Sequence, residues 1–185
     1  MLIWKNAPYK HSRYFICIYY FTMPFWYLEF EAYKVDGSFY VKEIAILKND
    51  RTECWNYYIS HHDISVPTSY EFRRQASQLQ LAWSFGDYRF DDAIVQIKTK
   101  IGNDIVIFCT RNSEYDTEKY TFLKNFLPQL IEQFYEVGFE MVNCINDKCD
   151  VNHGFCARQR VHELRYYDYK HNSDLFSTHS QWFGT

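Results

Sequence analysis

Residues 27–47, YLEFEAYKVDGSFYVKEIAIL, decide how this chain folds. Aromatic and β-branched residues, the side chains that suit a pleated surface, dominate both ends of the stretch. Between them "KVDG" carries turn chemistry. Residues 25–32 and 39–48 therefore read as two strands, and their closeness in sequence makes a hairpin the economical pairing. Aromatics point to both faces of the first strand, as in a strand buried within a sheet.

Residues 54–60, CWNYYIS, read as a third strand following the hairpin. Residues 68–80 carry a helical pattern, with Thr68 or Ser69 as N-cap and Glu71 in the first turn. A second helix spans 90–99, where Phe90, Ala93, Ile94 and Ile97 recur at helical spacing and Asp91 and Asp92 suit a helix N-terminus. Residues 104–109, DIVIFC, form the short continuous apolar run of a central strand. The spacing of Tyr120, Phe122, Leu123, Phe126 and Leu127 predicts a helix over 117–127, capped by Thr117. Pro128 ends it and opens a short helix over 128–136. A last helix covers 155–169. Three meandering strands, then helices alternating with a central strand, make an α/β fold with a mixed sheet flanked by helices. This is the outline of the ribonuclease-H-like fold.

Composition narrows the class. A length of 185 residues suits one domain, with a core from about 14 to 170 and tails on either side. The 47% apolar and 21% aromatic content excludes a disordered chain. A net charge of −3 argues against a globally basic nucleic-acid binder but leaves room for a local basic groove. Six cysteines are too sparse for a small secreted disulfide scaffold and point to a reducing compartment. Lys5, Lys10 and Arg13 precede the uncharged run YFICIYYFTMPFWYL, an outline a signal peptide shares. The run is rich in Tyr, contains Pro24 and is short for a membrane span. It reads as buried strand, with no membrane association expected.

The opening stretch also resembles the start of the DEDD exonuclease family: an Asp-x-Glu strand, a turn, and an apolar second strand. In that resemblance Glu29 and Glu31 take the acidic pair and Glu43 falls in the second strand. HGFCARQRVHEL (153–164) resembles the last motif of the His-containing branch, where a His and an Asp lie about five residues apart. Carboxylates there hold two Mg²⁺ or Mn²⁺ ions that stabilise the attacking and leaving oxygens. This chain departs from the pattern. Its first acid is Glu29, its middle acid is open among Asp87, Asp91 and Asp92, and five residues after His153 stands Arg158. A cation there repels metal and implies a degraded site, unless Glu163 or Asp168 substitutes. An active enzyme would use Glu29, Glu31, Asp91 or Asp92, and Asp168.

The Maelstrom domain, a DEDD-like fold that has exchanged its catalytic set for a Glu-Cys-His-Cys zinc site, fits the departure better. Cys149, His153 and Cys156 supply Cys, His and Cys in order, and Glu31, then Glu29, is the expected glutamate. The resemblance spans about 25–168. It implies a zinc-stabilised domain that binds single-stranded RNA in small-RNA (piRNA) silencing, with silencing-pathway proteins as partners and a cytoplasmic or nuclear location.

From the residues alone, Cys149-x₃-His153-x₂-Cys156 places three zinc-compatible ligands within eight residues, and Cys144 offers a fourth. Free thiols in a loop and a Cys144–Cys149 disulfide are the other readings. SHHD (60–63) reads as a solvated loop, and RNSEYDTEKY (111–120) as a charged connection into a helix. Arg73, Arg74, Lys98, Lys100, Arg158, Arg160 and Arg165 would track a nucleic-acid backbone if they shared one side. No Ser/His/Asp signature, P-loop or dinucleotide glycine motif is present. Three functions stand: a Maelstrom-like RNA-binding module, an active DEDD-type 3′–5′ exonuclease, and a domain of this fold used only for protein interaction.

Overall fold

Asp36 and Gly37 take φ values of 50° and 76° and close a two-residue turn between β1 (Phe25–Val35) and β2 (Ser38–Lys48). Left-handed backbone at both central positions matches the twist of a tight hairpin, which is why Asp-Gly stands there. The computed structural model describes residues 24–50, 54–110, 113–134 and 155–166. Among them β3 (Cys54–Tyr58) pairs antiparallel with β2, β4 (Ile105–Thr110) pairs parallel with β1, and β5 (Leu130–Phe134) pairs parallel with β4. The sheet order is β3-β2-β1-β4-β5. Helices α1 (Tyr70–Leu79), α2 (Phe90–Ile101), α3 (Glu114–Lys124) and α4 (157–166) flank it. The architecture is mixed α/β, a three-strand meander extended by parallel strands, and is compatible with a ribonuclease-H-like fold.

β1 runs through the middle of the sheet with both faces covered. Trp26, Leu28, Phe30 and Ala32 pack against Ala93, Ile94, Ile97 and Ile101 of α2 and Leu123 of α3. Phe25 and Tyr27 face the other way, onto Ala157, Val161 and Leu164 of α4. Farther along that second face, Tyr33 and Val35 pack with Phe72 and Leu79 of α1 and with Trp83. One side thus belongs to α2 and α3, and the other to α4 and α1.

Several elements differ from the sequence reading. The helix expected over 128–136 is strand β5. The α3 helix ends at Lys124, whose ammonium bonds the carbonyls of Pro128 and Leu130, and the chain turns there to lie along β4. A short stretch of mixed polar and apolar residues carries no decisive period, so the open edge of β4 settles it. Ser113, not Thr117, caps α3: its Oγ accepts the Asp116 N–H, while Thr117 bonds back to the Ser113 carbonyl. Ser69 is the cap of α1, accepting the Phe72 N–H. His61 is buried rather than solvated, bonded through Nε2 to the Val41 carbonyl at 2.8 Å, whereas His62 is exposed. Residues 14–23 and 167–170 of the expected core lie outside the described residues. Among the described residues no helix is long and apolar enough to cross a membrane.

A bulge makes one unusual core group possible. The β1–β2 register runs from Glu31↔Glu43 to Ala32↔Val41 and leaves Lys42 unopposed. Lys42 is fully buried, and its ammonium donates to the carbonyls of Ile59, Trp83 and Phe85. These carbonyls lie before and after α1, so one side chain fastens that whole excursion to β2. Gly86 completes the fastening. At φ 131° it lies so close that a Cβ would sit 2.6 Å from the Tyr58 carbonyl oxygen. Burial pulls the Lys42 pKa down to about 8, so the ammonium persists at neutral pH. Lys42→Met takes the ammonium from the Ile59 and Phe85 carbonyls, while the Trp83 carbonyl keeps the His61 N–H, and is expected to cost about 2–3 kcal/mol in urea unfolding at pH 7. An unchanged midpoint would show that the carbonyls find other donors.

Candidate functional site

Strand alternation puts Glu29 and Glu31 on the face of β1 that carries Phe25 and Tyr27. Glu43 lies on the same face of β2, directly opposite Glu31. All three carboxylates are buried. Like charges placed opposite each other repel, and removing each from water costs several kcal/mol, so such a patch needs buried cations.

Two helices bring them. Lys119 of α3 is 1% exposed and donates to Glu29 Oε1 at 2.7 Å. It can reach because the β1–β4 ladder stops at Leu28↔Phe108. Beyond that point the ammonium passes over the Phe30 ring at 4.5 Å and the Phe108 ring at 5.7 Å. Arg160 of α4 approaches from the other side, 3.4 Å from Glu29 Oε2 and 3.6 Å from Glu31 Oε1. Glu29 Oε1 also accepts the Phe30 N–H at 3.0 Å. Glu31 Oε1 is buried and, among the described residues, accepts no hydrogen bond. Asp116, buried in the first turn of α3, adds its charge to the field on Arg160. Tyr115 stands at the edge of the cluster, 38% exposed, with its ring against Phe39.

The two glutamates of β1 respond oppositely. Burial alone would raise Glu29, but Arg160 and Lys119 together hold it below the ordinary carboxylate range. Burial raises Glu31, Lys119 and Arg160 oppose the rise only in part, and Glu29 and Glu43 add to it. Tyr115 is pushed up by burial and then by Glu31 and Glu29.

Glu43 has a different task. Its Oε2 accepts the Ala157 N–H at 2.8 Å, capping α4 from the strand beneath it. Its Oε1 accepts from Asn56 Nδ2 at 2.8 Å and lies 3.8 Å from Cys156 Sγ. Cys156 Sγ in turn accepts the Gln159 N–H at 3.4 Å.

The site therefore gathers some of the expected residues and disperses others. Glu29 and Glu31 come together on one face of β1, two positions apart. The cation expected in their midst is Arg160 rather than Arg158, because helical rotation aims residue 160 at β1. Asp91 and Asp92 are exposed at the start of α2, across the sheet from Glu29, and Asp87 is exposed in the loop before it. Glu163 is engaged along α4 by Gln159 at 2.9 Å. Cys156 lies against Glu43, while Glu31, the expected glutamate of a zinc set, faces Arg160. Cys144, Cys149, His153 and Asp168 lie outside the described residues. Among the described residues no group of three or more metal-ligating side chains is assembled.

RNSEYDTEKY, read as a solvated connection, contributes the buried Asp116 and Lys119. A signal for them existed, since Asp116 and Lys119 share a helical stripe with Leu123. The basic candidates divide between faces: Lys98 and Lys100 on α2, Arg158, Arg160 and Arg165 on α4, and Arg73 and Arg74 on α1. Lys100 lies 4.6 Å over the Trp55 ring, and Arg160 is drawn into the cluster. Neither family models nor curated proteins match the chain.

These opposite shifts set a pH test. The depressed Glu29 contributes stability above the ordinary carboxylate range, and that contribution is lost as pH falls through its depressed value. The raised Glu31 works the other way: the fold gains as pH falls through its raised value and is penalised above it. In denaturant unfolding from pH 7 to 3, Glu29→Gln is expected to start less stable and fall less steeply than wild type. Glu31→Gln should match or exceed wild type at pH 7 and lose that advantage on acidification. Lys119→Met, which leaves Glu29 short of a cation, is expected to cost about 3–5 kcal/mol at pH 7. A Lys119→Met protein as stable as wild type would refute the pairing.

Proposed function

We propose that this chain is a ribonuclease-H-like module related to the Maelstrom domain, which binds single-stranded RNA and has lost metal-dependent hydrolysis. Lys119 Nζ, 2.7 Å from Glu29 in a buried site, carries this reading. A two-metal nuclease needs its carboxylates free for Mg²⁺ or Mn²⁺. Here the leading carboxylate already serves an ammonium and a guanidinium, and both would repel a divalent ion. The residues present do not fit a catalytic metal pair, so the DEDD exonuclease reading takes second place.

Zinc fits better, at a neighbouring point. Tetrahedral Zn–S and Zn–O lengths place two ligands of one ion roughly 3.5 Å apart. Cys156 Sγ and Glu43 Oε1 are 3.8 Å apart, and Asn56 holds the carboxylate as an outer-shell partner would. Glu43 and Cys156, with Cys149 and His153 preceding in sequence, form the proposed set. Zinc there would brace the sheet against α4 rather than catalyse.

For RNA, α1 and α4 share one sheet face, and Arg73, Arg74, Arg158 and Arg165 are their candidate phosphate contacts. Lys98 and Lys100 belong to the opposite side and drop out of that groove. Small-RNA silencing in cytoplasm or nucleus, with silencing proteins as partners, is the setting this reading carries.

Protein purified without added metal is expected to hold about one zinc per chain. Glu43→Gln and Cys156→Ser should lose it, and Glu31→Gln should keep it. Less than about half an equivalent in wild type would sink the zinc site. In filter binding to single-stranded RNA, Arg73→Ala and Arg74→Ala should each reduce the salt slope by about 1. Product ladders that require Mg²⁺ and vanish in Glu29→Gln would establish the exonuclease instead.

A further inference from the structure

We infer that Ser60, His62 and Asp63 form an acyl-transfer site, with Ser60 as nucleophile, His62 as general base and short-chain carboxylic esters as the substrate class. The backbone explains why they converge. Ile59 bridges Tyr88, and the Ser60 N–H donates to the Tyr88 carbonyl at 2.8 Å. His61 is pinned inward, its ring on the Val41 carbonyl and 4.8 Å from Trp83. Alternation along extended backbone turns its neighbours Ser60 and His62 outward together. The Ile64 N–H then closes a turn on the His61 carbonyl at 3.0 Å, and Asp63 comes back beside His62. Arg89 follows Tyr88 and so arrives at the same turn. Lys42 fastens both segments through the Ile59, Trp83 and Phe85 carbonyls, which gives the site a fixed frame.

Asp63 Oδ1 lies 2.7 Å from His62 Nε2 and accepts the proton of that nitrogen. The Nδ1 lone pair then faces Ser60 Oγ at 3.1 Å. Arg89 Nη2 stands 3.2 Å from the other Asp63 oxygen and holds the carboxylate. A hydroxyl within hydrogen-bond reach of a base, with the base oriented by a third group, is the arrangement that activates a nucleophile. Ser60 Oγ also reaches the Ser84 carbonyl at 2.8 Å. Its one proton is shared between the two acceptors, and the Ser84 bond fixes the rotamer that keeps Oγ beside His62. In the reaction Oγ bonds to the ester carbonyl carbon while Nδ1 takes the hydroxyl proton. The bond to the leaving alcohol breaks, and that alcohol departs with the proton from Nδ1. Water repeats the sequence on the acyl-serine, releasing the carboxylic acid and returning the proton to Ser60. His62 and Asp63 stand at the surface, which suits a small acyl group presented from solvent. Water meets the developing oxyanion there, so turnover is expected to be slow. The site shares no residue with the carboxylate cluster and is independent of zinc and RNA.

Reaction of the full chain with p-nitrophenyl acetate, followed by peptide mapping in a mass spectrometer, tests it. The expected result is an acetyl group on Ser60 and a burst of about one equivalent of p-nitrophenol. Ser60→Ala should lose both. His62→Gln, which leaves the Ser84 bond in place, should acetylate Ser60 about 10²-fold more slowly. Asp63 acts through His62 as a positioning residue, so Asp63→Asn should lower kcat about tenfold with KM unchanged. Acetyl groups on lysine or tyrosine but not on Ser60, or Ser60 acetylated equally fast in His62→Gln and wild type, would overturn the proposal.

Discussion

The buried ion pair between Glu29 and Lys119 is the constraint around which this sheet is arranged. A carboxylate at the centre of a two-sided sheet is tolerable only if a cation reaches it. Lys119 does so because β4 parts from β1 after Phe108, leaving a gap through which an α3 side chain can pass. Arg160 completes the neutralisation from α4. Removing either helix would leave an uncompensated charge, so the cluster ties together elements separated by 90 residues in one case and, through Glu43 and Ala157, by 114 in another.

The same face sorts its acids by task. Glu29 is the anchor, Glu43 is a helix cap, and Glu31 is the least satisfied of the three. Such a distribution differs from that of a catalytic cluster, in which carboxylates converge on metal ions. Lys42 obeys related logic at the bulge, where an ammonium donates to three carbonyls and secures α1. Both devices place a protein cation where buried oxygen atoms would otherwise go unpaired.

Much of the architecture was legible in the chain. The β1–β2 hairpin, β3, β4, α1 and α2 follow from turn chemistry, from β-branched and aromatic runs, and from helical spacing. Leu130–Phe134 was not, because so short a stretch of mixed character suits helix or strand and only a vacant sheet edge distinguishes them. The site was half legible. Glu29 and Glu31 announce themselves as acids inside an apolar strand. Lys119 looks like one more charge on an amphipathic helix, and Arg160 like one of several basic residues on α4. The stripe that Lys119 shares with Asp116 and Leu123 hints at its burial, but nothing local says that Arg160 pairs with Glu29.

By itself the sequence determined the β1–β2 hairpin and set Glu29 and Glu31 in a buried strand, because strand alternation and turn residues act over a few positions. Tertiary structure decided which cations answer those carboxylates and that Cys156 meets Glu43 rather than Glu31. Coulombic and hydrogen-bond partners are chosen by proximity in space, and here proximity is created by helices crossing the sheet far along the chain from β1.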